Sequence, residues 1–271
     1  MRVTYVPVLA TLRDLYLQPR SMQRFRQYIA TMTGGTDDIV LPIGVANPMA
    51  KEQAVSKIDN LLGLGAEEIA AESASNAAEL LEGIDVESEI KASLVLVDDV
   101  GGGWTNRFTT EAMVRFPRRG ALKRPFATGL VWTSESPTPD HIREEMRAAI
   151  YRVAHQQRHG LPATLRDMLD QEGRAGVFAG VRPGLRQAPL AEARAIVATL
   201  GDSAPYPQIF ASMYGDAAAE QLGYQPLGLP ARAGFEVALA DALEAGLDPV
   251  ALLAGGSRGA EEETKRDGHR T

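Results

Sequence analysis

Apolar residues at helical spacing organise the first eighty positions. Met22, Phe25, Ile29 and Met32 fall three or four apart behind Ser21, an N-capping residue type, and Gly34-Gly35 supplies a stop. This pattern predicts a helix with those four side chains inward. Asn47-Pro48 reads as an N-cap and first helical position, with Val55, Ile58, Leu61 and Leu62 continuing a stripe to Gly63. A further helix from Ala66 to about Glu82 turns Ile69, Ala77, Leu80 and Leu81 inward, so the two make an αα-hairpin across Leu64-Gly65.

The period changes at Ile84. Ile84, Val86 and Ile90 alternate with acidic residues, and Leu94-Val95-Leu96-Val97 is a continuous apolar run closed by Asp98-Asp99, the best strand in the sequence. Gly101-Gly102-Gly103 makes a turn, Arg107 to Phe116 reads as extended, and Phe126 to Thr133 reads as another strand. Strands following one another through turns predict a small, largely antiparallel sheet at about residues 84–134.

Helical patterning then returns. Thr138-Pro139-Asp140 opens a helix whose stripe is Ile142, Met146, Ala149, Ile150 and Val153, ending at Gly160. Thr164 and Asp167 have capping-box spacing for a short helix through Leu165, Met168 and Leu169. Further helices are predicted at 188–200, 205–222, 231–245 and 249–254. The expected class is α+β and predominantly helical. The pentapeptide Ala-Thr-Leu-Arg-Asp occurs at Ala10–Asp14 and at Ala163–Asp167, but its flanks do not align, so it is read as coincidence rather than duplication.

Composition adds bounds. With 271 residues, 45% of them hydrophobic, the chain can bury a substantial core unaided, and no linker divides it. One globular domain over 1–254 is expected, followed by a flexible tail over 255–271 that is rich in glycine and charge. The absence of cysteine excludes disulfides, thiolate metal ligands and a cysteine nucleophile. A net charge of −7 argues against nucleic acid as a partner. No apolar run approaches the roughly 18 residues of a membrane span, so a cytoplasmic protein without membrane attachment is expected.

The candidate chemistry gathers around the strand ends. Asp98 and Asp99 beside a glycine loop suit acid–base work or a divalent cation, although aspartates also simply end strands and open turns. Gly102, Gly103, Trp104, Asn106 and Arg107 place backbone amides, an indole, an amide and a guanidinium within a short loop suited to a polar or anionic ligand. Arg115, Arg118, Arg119, Lys123 and Arg124 make a basic turn in an acidic chain; Arg118 and Arg119 are candidates to hold a phosphate or carboxylate, against the alternative of a solvated turn. Trp132, Ser134 and Glu135 end the last strand, and Glu135 joins the candidate carboxylates.

His155 and His159 lie four apart on one helix but lack the glutamate of a zinc-protease helix. Helical stepping puts His155 with Glu144, Ala148 and Tyr151, opposite the apolar stripe, where it meets water if the helix is covered on one face only. His155 is also a candidate proton carrier or ligand. His141 and His269 carry little weight. The function expected is an enzyme or enzyme-like protein acting on a small anionic metabolite at the sheet's loop ends. The competing expectation, from its Met- and Ala-rich helices, is a non-catalytic helical protein that forms a homo-oligomer or binds a protein partner.

Overall fold

A computed structural model of the chain describes residues 1–86, 89–101, 106–117, 126–202 and 204–255. The chain opens with β1 (Val3–Tyr5), α1 (Leu9–Leu17), α2 (Met22–Thr33), a 3-10 turn at Ile43–Val45, α3 (Glu52–Gly63) and α4 (Ala66–Leu80). Then come β2 (Ile90–Val97), α5 (Arg107–Arg115) and β3 (Phe126–Trp132). The remainder is helical: α6 (Pro139–His159), α7 (Leu165–Ala179), α8 (Gln187–Ala198), α9 (Tyr206–Tyr214), α10 (Asp216–Gln221), α11 (Ala233–Glu244) and α12 (Pro249–Ala254). The tail expected from 255 lies, beyond its first residue, outside the described residues.

The sheet corrects the expectation of antiparallel pairing. Its order is β1-β2-β3 and both pairs are parallel, with Val3 opposite Ile90 and Lys91 to Val97 opposite Phe126 to Trp132. Parallel neighbours need a crossover long enough to return the chain to the same end of the sheet, usually a helix. Helices α1 to α4 intervene between β1 and β2, and α5 lies between β2 and β3. The misreading came from residues 107–116, read as extended but folded as α5. Its buried face is Thr110, Glu111, Ala112 and Arg115, so charged side chains occupy inward positions and hide the apolar period. The continuous burial of Ala92–Val97 and Ala127–Trp132 is what a strand covered on both faces requires, as parallel strands are.

Helices α4 and α6 pack side by side against the sheet. Gly129 lets α6 approach: a Cβ there would stand 2.5 Å from Met146 Sδ and 3.3 Å from Leu94 Cδ1. One hydrophobic cluster joins the sheet with α1, α3, α4 and α6, while a second joins Ala112 of α5 and Phe116 just after it with α8, α9 and α11. Between them α7 packs on both α6 and α11.

Several boundaries and faces also differ from expectation. The second helix starts at Glu52 rather than Pro48, because Asn47 turns back locally, its Oδ1 accepting from Met49 N at 2.9 Å. On α2 the buried side chains are Arg24 and Tyr28, while Met22 and Ile29 are exposed. Arg24 is drawn inward by carbonyls: its guanidinium donates to Ala50 O at 2.8 Å and Gln18 O at 3.2 Å and stacks on Tyr16. The helix expected over 205–222 breaks at Gly215, whose φ of 86° is left-handed and whose Cβ would meet Pro230 O at 2.2 Å. The capping box at Thr164 and Asp167 is present, opening a helix of 15 residues rather than a short one. No helix among the described residues is long and apolar enough to cross a membrane.

Candidate small-molecule site at the carboxyl end of the sheet

Because β2 and β3 run parallel with Val97 opposite Trp132, the residues following both strands emerge at the same edge. In open parallel sheets this edge, beyond the strands' carboxyl ends, is where ligands bind. Asp98 meets Thr133 there, and Asp99 meets Ser134. Asp98 is 2% exposed. Its Oδ1 accepts from Thr133 Oγ1 at 3.0 Å, Gly101 N at 3.1 Å and Val100 N at 3.3 Å, and its Oδ2 from Asn47 at 3.3 Å and Gln53 at 3.4 Å. A Cβ on Gly101 would sit 2.3 Å from Asp98 Oδ2, so the loop closes over the carboxylate only with glycine there. Asp98 thus fastens two strand ends, the loop and α3 together.

Asp99 accepts from Ser134 N at 2.9 Å and Ser134 Oγ at 2.6 Å, with Arg107 Nη1 3.5 Å away. Arg107 also pairs with Glu135 and lies over the Trp132 ring, 4.9 Å from its centroid. Asn106 is the N-cap of α5, accepting from Thr109 N at 3.1 Å. The fold therefore gathers Asp98, Asp99, Asn106, Arg107 and Glu135. His155 is elsewhere: it follows His141, 3.9 Å from Glu135, by fourteen helical residues, roughly 21 Å along α6. Gly102, Gly103, Trp104, Arg118 and Arg119 lie outside the described residues. Among the described residues, no three His, Asp or Glu side chains form a group able to hold a metal ion.

From Arg107 a stripe of charge continues inward along α5, since Glu111 and Arg115 follow at four-residue steps. Arg115 Nε lies 2.7 Å from Glu111, Nη1 2.9 Å from Glu172 of α7, and Nη2 3.2 Å from Glu145 of α6. Arg152 of α6 bonds Glu172 at 2.8 Å, and Arg232 grips Glu111 with bonds of 2.9 and 3.1 Å. Gln171 and Gln156 both donate to Arg115 O, at 2.9 and 3.0 Å. Three guanidiniums thus face three carboxylates in a largely buried network.

Burial alone would raise the Glu111 carboxyl, but Arg232, then Arg115, outweigh it and hold the group at about 2. Glu172 is likewise pushed up by burial and brought below its ordinary value by Arg152 and Arg115. Both are ionised at neutral pH. Arg232 is the one non-glycine residue among those described with a positive φ, 59°, and its guanidinium lies 4.3 Å from the centre of the Phe235 ring. A left-handed arginine costs conformational energy that its surroundings must offset, and such strain concentrates at functional sites.

This network forms one wall of a cavity of about 290 Å³, whose lining includes Arg107, Trp132, Glu144, Arg232, Phe235 and Leu239. Arg107 and Arg232 retain exposed edges, with side chains 27% and 38% accessible. Of the lining carboxylates, Glu111, Glu135, Glu145 and Glu172 pair with arginine, and Glu236 accepts from Gly184 N and Leu185 N at 2.7 and 3.1 Å. Glu144 has no ion pair or hydrogen bond among the described residues.

Sequence reasoning singled out the strand ends but not Glu111, Glu145, Arg152, Glu172 or Arg232, which four separate elements or their caps supply. The one local signal was the i, i+4, i+8 spacing of Arg107, Glu111 and Arg115. Comparison with protein-family models, characterised proteins and solved structures gave no match to this chain.

Proposed function

We propose that this chain binds and acts on a small metabolite in the cavity beside the carboxyl end of β3. The ligand would carry an anionic group together with a cationic or proton-donating one. The observation that carries the reading is the state of the lining charges: two guanidiniums keep exposed edges, and one lining carboxylate, Glu144, has no partner among the described residues, where the other lining carboxylates are engaged. Arg107 and Arg232 suit the anionic group, and Glu144 suits an ammonium or takes a proton. Trp132, Phe235 and Leu239 provide apolar walls.

The buried network supports the same reading. Six paired charges in a protein interior stabilise little more than an apolar packing of equal volume, so their retention is better accounted for by a fixed field at the cavity wall. Its carboxylates are each engaged by arginine, which leaves Glu144 as the base. The cavity's volume, near the lower end of the roughly 300–1,000 Å³ typical of ligand pockets, limits the ligand to a small metabolite.

A thermal-shift screen against amino acids, dicarboxylates, phosphorylated metabolites and amines tests this. A ligand at a hundredfold excess over its Kd adds about 2.7 kcal/mol, several degrees in Tm for a chain of this size. Arg107→Met and Glu144→Gln should each abolish the shift while leaving the fold intact. No shift from any class, or a shift that survives both substitutions, overturns the proposal.

A further inference from the structure

The cavity beside β3 is bordered by strand backbone. β3 lies at one end of the sheet, and among the described residues it pairs only with β2. In a parallel ladder one residue turns both its N–H and its C=O to the neighbouring strand, and the next turns both away. Thr133 N donates to Val97 O at 3.1 Å, so Gly129, Val131 and Thr133 face β2, while Leu130 and Trp132 face outward. Two bonds agree with that assignment. Leu130 N donates to Glu145 Oε1 of α6 at 3.4 Å, and Trp132 O accepts from Glu135 N at 3.1 Å.

Of the four outward backbone groups, two are therefore engaged and two are not. Leu130 C=O and Trp132 N–H have no partner among the described residues. Both residues are buried, 2% and 4% exposed, and both line the cavity of about 290 Å³. A buried backbone donor left without an acceptor costs about as much as a lost hydrogen bond, and native interiors rarely keep one. The open pair also has a definite pattern. In antiparallel pairing two opposed residues exchange both bonds, which needs the N–H and the C=O of a single residue. Neither Leu130 nor Trp132 has both groups open. An acceptor on one outward residue and a donor on the next is the pattern that one residue of a parallel strand fills.

We infer that the ligand of this cavity is an extended amide of dipeptide size, which adds one residue of parallel strand to the outer edge of β3. The amide N–H of that residue donates to Leu130 O, and an oxygen of its carboxylate accepts from Trp132 N. Main-chain bonds to an open strand edge are a recurrent means of recognising peptides. Running parallel to β3 carries the carboxylate towards Arg107, whose guanidinium lies over the Trp132 ring. Glu145 already accepts from Leu130 N, so the pairing stops after one residue. The ligand's amino end then meets α6, where Glu144, the neighbour of Glu145 in the chain, suits an ammonium. This inference rests on the cavity being the ligand site proposed above and narrows the ligand to one chemical class.

The test is calorimetric titration of the full chain with dipeptides and N-acetyl amino acids, against free amino acids and dicarboxylates as contrasts. The amides should bind at least about tenfold more tightly than either contrast set, the worth of two added hydrogen bonds. For the tightest amide, the matched ester, with oxygen in place of the N–H, should bind about tenfold more weakly because Leu130 O loses its donor. Replacing Trp132 by its α-hydroxy analogue removes the outward N–H without deleting a bond to β2. It should weaken the same amide to a similar extent, with circular dichroism confirming the fold. Amino acids or dicarboxylates that bind as tightly as the amides, an ester equal to its amide, or a backbone ester without effect overturns this inference and leaves the cavity as a ligand site. Binding by none of these compounds overturns it too, and takes the underlying reading with it if phosphorylated metabolites and amines also fail.

Discussion

Arg115→Met should be among the most destabilising single substitutions in this chain. The Arg115 side chain is 9% exposed and faces Glu111, Glu145 and Glu172, themselves 2%, 11% and 3% exposed. Methionine fills much of the volume but removes the charge. Glu111 would still be held by Arg232, and Glu172 by Arg152 at 2.8 Å, whereas Glu145 would face only Arg152, 3.9 Å away. Three carboxylates would then share two guanidiniums, leaving one charge largely buried and uncompensated. Breaking a buried pair in this way costs about 3–5 kcal/mol, a large part of the roughly 5–15 kcal/mol that holds a typical domain folded.

Urea denaturation reads this directly. With a slope of about 2–3 kcal/mol/M, the midpoint should fall by roughly 1–2 M. Arg194→Met is the control, because Arg194 also contacts two carboxylates, Asp241 at 2.7 Å and Glu244 at 2.9 Å, but at the surface with all three side chains well exposed. Its loss should cost about 0–1 kcal/mol. Glu145→Gln added to Arg115→Met should recover part of the loss by neutralising the stranded carboxylate. Equal midpoint shifts for Arg115→Met and Arg194→Met, or no recovery in the double variant, would refute the uncompensated-charge argument.

Acid should destabilise the protein through Glu111. Its folded value is depressed from 4.5 to about 2, so its contribution, about 3 kcal/mol, is fully present above pH 4.5 and is lost as the pH falls towards 2. Glu111→Gln should flatten the fall in urea midpoint over that window, and parallel acid profiles for the two chains would count against it. Gly173→Ala should lower Tm by overpacking, because its Cβ would stand 2.5 Å from the backbone oxygen of Ala238 where α7 crosses α11. The expected cost is about 1–3 kcal/mol, reduced by alanine's better helix propensity. Gly63→Ala, at the end of α3 with nothing within 4 Å of its Cβ, should leave Tm unchanged or raise it.

Local chemistry was legible in the sequence. Ser21, Thr138 and Thr164 all cap the helices that follow them, because a capping side chain reaches only the next few amides. The run Leu94–Val97 and the segment Phe126–Thr133 were readable as strands from their own composition, and Asp98, Asp99 and Glu135 as their polar ends. What the strings could not carry was orientation. A continuous apolar run says that a strand is buried on both faces, not which way its neighbour runs; that depends on whether the intervening chain folds as a crossover helix.

Alpha5 shows why the intervening segment was missed: hydrophobic periodicity reports a helix only when its inward face is apolar, and this one turns Glu111 and Arg115 inward. The same Ala-Thr-Leu-Arg-Asp string lies within α1 at one place and caps α7 at another, so even local chemistry takes its role from what surrounds it. The charged network needed tertiary structure altogether. Glu111 and Arg232 are 121 positions apart, and each alone looks like a solvent-facing charge. Only packing decides that they are buried, because burying a charge is tolerable once its partner arrives from another element. His155 obeys the same logic: the helical wheel placed it opposite the apolar stripe, and the arrival of α7 on that face decided that it would meet protein rather than water.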